Sequence, residues 1–309
     1  MKVIGKVGRD DIAIVYLAEI RKGEFIEFVE SIQPPLKREE KWVLIISTLL
    51  GCPVGCLMCD AGGWYKGRLS KDEIMNQIDY MIKNRFPTKK IPVKKFKIQF
   101  ARMGEPSFNY HVLEVLKELP IKYDAPGLMP CISTVAPKGS ESFFEKLLKI
   151  KQRYYNGRFQ LQFSIHTTDV KLRDKIIPIK KWDFSEIAAY GNKFYKKGDR
   201  KITLNFALAK SWPLEADILL KYFDPEIFLI KITPINPTIK AKENMIESYI
   251  NPTSNNEIAF NLRKKGYEVI VSIGELEENR IGSNCGQFLR RFLENNYKIE
   301  GAYEYKVIS

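Results

Sequence analysis

The sequence predicts an α/β fold in which parallel strands, joined by helical crossovers, curl into a barrel or part of one. Three observations lead there. Apolar strand-like runs alternate along the chain with amphipathic helical stretches, the pattern of strand-helix-strand units with right-handed crossovers. Residues able to do chemistry fall just after the strands, where barrels of this kind carry their sites. With 309 residues and 45% hydrophobic content, the chain can bury a large core as one elaborated domain.

Taken in order, the chain opens with two alternating runs, Ile12 to Leu17 and Phe25 to Val29, followed by a polar, proline-containing linker from Gln33 to Glu40. Residues 1–40 therefore read as a small N-terminal β module. The main unit, 41–275, begins at the strand Val43 to Thr48. Further strand-like runs follow at Phe96 to Ala101, Met129 to Ser133, Phe159 to Ser164, Ile202 to Ala207, Ile227 to Thr233 and Val269 to Ile273. Helical patterns at Lys71 to Lys83, Tyr110 to Leu119, Ser140 to Ile150 and Asp183 to Tyr195 separate most of them. Residues 276–309 form a C-terminal extension. The longest apolar stretch, Trp42 to Gly51, stops at Pro53, well short of the roughly 20 residues a membrane helix needs. It reads as a buried strand, and no membrane association is expected.

The segment LGCPVGCLMCDAGG sets Cys52, Cys56 and Cys59 in a C-x3-C-x2-C spacing directly after the first barrel strand. Three thiolates so spaced can hold three irons of a [4Fe–4S] cube and leave the fourth iron open to another ligand. A structural zinc site would want four ligands, and the chain offers neither a second CxxC nor a nearby His. The odd total of 5 cysteines, three of them crowded and none preceded by a signal peptide, argues against disulfides and for the reducing cytoplasm.

Other polar residues fall at the same rim. Arg102-Met103-Gly104-Glu105-Pro106 follows the second strand, with a glycine permitting close backbone approach and a carboxylate able to pair with an ammonium group. Ser133 ends the third strand, Ser164 and His166 the fourth, and Asn236 follows the sixth in TPINP. Singly each reads as a turn or cap residue; in phase they mark a site. The net charge of +13, with clusters such as Lys89, Lys90, Lys94 and Lys95, suits a polyanionic partner such as RNA and equally a lysine-rich or thermophilic surface.

From Val43 to Phe288 the motifs CPVGCLMC, MGEPSFN, ISTVAP, FSIHTTDVKLRDKIIPI, TPINP and NCGQF resemble the radical S-adenosylmethionine (radical SAM) superfamily. Within it they are most similar to the RlmN/Cfr-type methyltransferases, which modify carbon 2 or 8 of an adenosine in ribosomal or transfer RNA. The resemblance implies a partial (β/α)6 barrel, a [4Fe–4S] cluster on Cys52, Cys56 and Cys59, and S-adenosylmethionine chelating the open iron. Reductive cleavage of SAM, with electrons from a flavodoxin or ferredoxin, would then give a 5′-deoxyadenosyl radical. Gly104 and Glu105 would contact the methionine amino group, Ser133 and Ser164 its carboxylate or the ribose, His166 the ribose or adenine region, and Asn236 a ribose hydroxyl. His166 is taken as a binding residue and not a general base.

Cys285, in NCGQF, matches the family's methyl-carrying cysteine; a small buried residue is the alternative. Two departures stand beside it. The family's resolving cysteine, seven residues before the first cluster cysteine, is replaced here by Ile45. Cys131 is a possible substitute and also a plausible core residue. The family's N-terminal helical RNA-binding domain is replaced by about forty strand-like residues. The expected function is therefore methylation of an sp2 carbon of RNA through Cys285. The alternative is a radical SAM enzyme of the same ancestry that abstracts hydrogen from a small molecule or protein without methyl-cysteine chemistry.

Overall fold

The structure is a computed structural model and describes residues 1–249, 256–272 and 285–296. Its main feature is one sheet whose strands lie in chain order. Three N-terminal strands, β1 (Lys2–Arg9), β2 (Ala13–Arg21) and β3 (Glu24–Ser31), form an antiparallel meander. Strand β3 pairs antiparallel with β4 (Lys41–Ile46), which after the short hairpin strands β5 (Leu49–Leu50) and β6 (Gly67–Arg68) gives way to the barrel proper. Parallel strands β7 (Lys95–Phe100), β8 (Leu128–Thr134), β9 (Gln160–Ser164), β10 (Ile202–Leu208), β11 (Phe228–Pro234) and β12 (Val269–Val271) then follow β4 one after another. Because the order never reverses, right-handed crossovers put the connecting helices on one face and leave the other as a concave interior. The sheet stays open: β4 pairs with β3 on its outer side, and β12 pairs only with β11 among the described residues.

Strand alternation sets the two faces. In β4, Trp42, Leu44 and Ile46 are fully buried toward the helices, whereas Lys41, Val43 and Ile45 point inward; β7 repeats this with Phe96, Ile98 and Phe100 against Lys95, Lys97 and Gln99. The outward residues share one core with the apolar faces of α1 (Lys71–Arg85), α2 (His111–Lys122), α3 (Glu141–Tyr154) and α5 (Phe184–Phe194). Helices α1 and α5 start where Ser70 and Asp183 form capping boxes with Glu73 and Glu186. Shorter helices α4 (Val170–Ile176), α6 (Ala216–Leu220) and α7 (Ile239–Glu243), then α8 (Asn256–Lys264) and α9 (Gln287–Glu294), complete the described chain.

The predicted strands and long helices are present to within a few residues. Strand β1 has no counterpart in the expectation, because Lys2, Lys6, Arg9 and two glycines obscure its alternation. Helices α4 and α6 to α8 are likewise new. Ile273, Asn284 and most of the expected 276–309 extension lie outside the described residues. The N-terminal strands do not sit apart: they lengthen the barrel sheet, and with α9 they enclose a second core of Val15, Leu17, Val29, Met103, Phe288, Leu289 and Phe292. No helix among the described residues is long and apolar enough to cross a membrane.

Candidate active site

A cavity of about 480 Å³ occupies the concave interior toward the C-terminal ends of the strands. Cys52, Cys56 and Cys59 line it together with Gly104, Glu105, Ser133, Ser164, His166, Asn236 and Cys285, so the residues expected to hold the cluster, SAM and the methyl group meet there. Ile45 lines it as well. Cys131 is fully buried and is not among the lining residues.

The cysteine loop is pinned by its neighbours. Buried Asp60 accepts from the backbone N–H groups of Ile239 (2.9 Å) and Lys240 (2.8 Å) at the start of α7 and pairs with Arg290 of α9 (3.1 Å). Thr238 donates to the carbonyl of Met58 (2.9 Å), and Asn244 to that of Leu57 (2.8 Å). Burial pushes the Cys52 thiol up to about 12 and Cys56 well above the usual thiol range, so neither thiolate is stabilised by the protein alone. Thiols of this kind, held at one end of a polar cavity, fit a thiolate-ligated iron–sulfur cluster, whose iron offsets the charge that burial penalises.

Gly104 has φ +102°, and a Cβ there would stand 2.4 Å from Cγ of Leu49, so only glycine lets this strand end approach the loop after β4. The Glu105 carboxylate is buried, and burial raises its pKa against four hydrogen bonds that lower it. Its Oε1 accepts from Thr134 Oγ1 (2.6 Å) and from Ser107 Oγ (2.8 Å) and N (3.1 Å), whereas Oε2 accepts only from Val135 N (2.8 Å). Oε2 is the oxygen with room for a further donor. Ser133 Oγ is buried without a hydrogen-bond partner, an acceptor and donor that a polar ligand would satisfy.

His166 has φ +67°, a conformation held by its own N–H (3.2 Å) and that of Ile165 (2.9 Å), both donating to the carbonyl of Asn205. Its Nδ1 accepts from the N–H of Ala207 (3.1 Å), so the ring proton sits on Nε2. Burial, helped by Arg173, pushes its pKa down to about 3. The ring is a neutral hydrogen-bond donor, in keeping with a binding role.

Cys285 reaches the cavity from the other side of the chain. Its thiol donates to the carbonyl of Arg102 and lies against Cys59, an arrangement that shifts Cys59 down and Cys285 up. The following Gly286 has φ +80°, and a Cβ there would fall 2.2 Å from the backbone N of Ala61. Glycine is thus required for α9 to lie on the cysteine loop. Fully buried Glu27 of β3 accepts from the N–H groups of Gly286 and Leu289 (2.8 Å), and pairs with Arg102 Nη2 (2.7 Å). Sequence reasoning missed Glu27 and Asp60. The available signals were a carboxylate on the same strand face as Phe25 and Val29, and one directly after a cluster cysteine.

No family model matches the chain. Among curated proteins, the probable dual-specificity RNA methyltransferase RlmN of Desulfitobacterium hafniense (strain DSM 10664 / DCB-2) is 28% identical over 293 residues, 92% of this chain and 77% of the relative. The dual-specificity RNA methyltransferase RlmN of Helicobacter hepaticus is 26% identical over 300 residues, 93% of this chain and 73% of that one. A solved radical SAM methyltransferase from Sphaerobacter thermophilus superposes with a TM-score of 0.72 at 20% identity, covering 93% of this chain and 81% of the other. The chain is similar in sequence to the RlmN RNA methyltransferases and shares its fold with a radical SAM methyltransferase. Its sheet has the fold of that radical SAM methyltransferase.

Two outcomes follow. Glu27→Ala removes the carboxylate shared by Arg102 and the start of α9, a loss of about 3–5 kcal/mol by analogy with broken buried pairs; hydrogen exchange over 285–294 should accelerate more than elsewhere. The depressed pKa of His166 makes its contribution to stability complete above its ordinary value of 6.5 and lost as pH falls toward about 3. Its NMR resonances should therefore stay fixed between about pH 5 and 9.

Proposed function

We propose that this chain methylates an sp2 carbon of an RNA adenosine, with Cys285 as the methyl carrier. The observation that carries the reading is the seating of Cys285 against Cys59, secured by Gly286 on the Asp60–Ala61 backbone and by Glu27. On this reading Cys52, Cys56 and Cys59 hold the cluster. Gly104 and Glu105 receive the methionine amino group of SAM, with Oε2 of Glu105 as the acceptor. Ser133 and Ser164 take its carboxylate or ribose, Nε2 of His166 donates toward the ribose or adenine, and Asn236, exposed at the rim, meets a ribose hydroxyl. Reduced by a donor such as flavodoxin or ferredoxin, that cofactor pair supplies a hydrogen-abstracting carbon radical. The N-terminal module of residues 1–40 serves to dock the extension carrying Cys285 onto the barrel of 41–275, and thiolate chemistry of this kind suits a reducing cytoplasm.

RNA as substrate draws support from the relatives' names and from a surface of matching chemistry. Between α2 and α3, Lys117, Lys146, Lys149 and Arg153 surround a groove of about 440 Å³ with Tyr110 and Tyr154 in it. Lys146 lies 4.8 Å from the Tyr110 ring centroid, and Arg153 5.4 Å from that of Tyr154. Cations interleaved with stacking rings suit a phosphate backbone and unpaired bases.

A second reading is favoured by Ile45. It lines the cavity with Cys285 where a thiol would be needed to resolve a methylene crosslink, and Cys131 is not among the lining residues. With the other three cysteines in the cluster loop, no described cysteine is left for that task. Hydrogen abstraction from a different substrate, without methyl-cysteine chemistry, needs no such thiol.

Cys285→Ala decides between them. Methyl transfer through Cys285 predicts that reconstituted Cys285→Ala still forms 5′-deoxyadenosine but yields no methylated RNA; undiminished RNA methylation would exclude Cys285 as carrier, and native enzyme that forms 5′-deoxyadenosine but methylates no RNA would favour the second reading. Removing the gene should abolish one methyladenosine in mass spectra of digested cellular RNA. Replacing Lys146, Lys149 and Arg153 by Ala should weaken RNA binding across sequences and lower the salt slope by about one for each phosphate no longer neutralised.

A further inference from the structure

The inward face of this barrel is not the apolar packing that fills closed barrels. At the floor of the cavity stand Gln162, Asn205 and Lys231, and one pleat repeat below the lining residue Gln99 comes Lys97. Asn205 and Lys231 are register partners on adjacent strands and so project side by side. Gln162 Oε1 and Asn205 Oδ1 are buried without any hydrogen-bond partner. Their carboxamides can turn to present N–H groups instead.

Cations continue downward from there. Lys95 and Lys41 are register partners at the lower mouth, with Arg200 close enough to act on both. The largest charge effects on Lys41 and Lys95 come from cations, and that on Lys231 comes from Lys97, opposed by the thiol of Cys131. Burial and mutual repulsion lower Lys231, Lys95 and Lys41 alike. No carboxylate pairs with Lys97 or Lys231 among the described residues. Partly buried ammonium groups that face each other without a counter-ion are costly, and such a cost is offset when an anion enters.

We infer that the floor of the cavity, between Lys231 and Lys97 with the carboxamides of Gln162 and Asn205 beside them, is a binding site for a phosphate group. Two cations and two carboxamides match the double charge and several acceptor oxygens of a phosphate better than they match a carboxylate. The group arrives either as the phosphate of a substrate nucleotide or as a free phosphate. The site uses the same cavity as the proposed methyl transfer but does not involve Cys285.

Calorimetric titration of the full chain with AMP, adenosine and inorganic phosphate tests the inference without any turnover, so its failure is distinct from failure of the methyl-carrier reading. We expect AMP to bind about tenfold or more tightly than adenosine, and Lys231→Met and Lys97→Met each to erase that advantage while Lys231→Arg keeps most of it. A nucleotide source predicts tight AMP binding that phosphate displaces weakly; a free-phosphate source predicts phosphate binding that the same substitutions abolish. Lys231→Met should also raise the melting temperature in phosphate-free buffer, by relieving the unpaired charge. Equal affinity for AMP and adenosine with no phosphate binding, or a phosphate advantage surviving both Met substitutions, overturns the inference.

Discussion

One fully buried carboxylate, Glu27, joins parts of the chain that lie far apart in sequence. It belongs to an N-terminal strand, pairs with Arg102 at the end of a barrel strand, and receives two N–H groups from the start of α9. A buried ion pair contributes little net stability against well-packed apolar residues. The energy that docks α9 comes instead from Phe288, Leu289 and Phe292, each worth about 1.5–3 kcal/mol on burial. What Glu27 adds is position. Apolar packing tolerates a slide of the helix along its groove, whereas a carboxylate bound to Gly286 and Leu289 and to a fixed guanidinium does not. The side chain one residue before Gly286 is Cys285, and its placement over the cysteine loop follows from that restraint.

The same logic explains the short N-terminal strands. They extend the barrel sheet at β4, the strand that carries Ile45 and leads into the cysteine loop. Their face continuous with the barrel interior, with Val15, Leu17 and Val29, is the floor on which α9 lies. Asp60 then ties the loop to both α7 and Arg290 of α9. A module that looks too small to recognise RNA is thus a structural support for the thiol.

Much of this was legible in the sequence, because strands with one face against helices and one toward a cavity alternate cleanly. Runs such as KWVLII and KFKIQF alternate in this way, and the strand-end residues Gly104, Ser133, Ser164 and His166 converge as their phase requires. The cysteine spacing pointed to an iron–sulfur cluster. What stayed hidden was long-range. Nothing local in FIEFVE says that Glu27 meets a helix more than 250 residues later (|i−j| = 259), and a polar barrel interior with Lys97 and Lys231 emerges only once the strands are set side by side. Short helices such as α6 and α7 escaped because 5 residues give no periodicity to read.

The central claim is that Glu27 holds Cys285 where it can accept a methyl group, and peptide mass spectrometry of protein purified from its host tests it directly. The account predicts S-methylcysteine at Cys285 in the native chain and little or none in folded Glu27→Ala. Unmodified Cys285 in active native enzyme, or full methylation in Glu27→Ala, would contradict it.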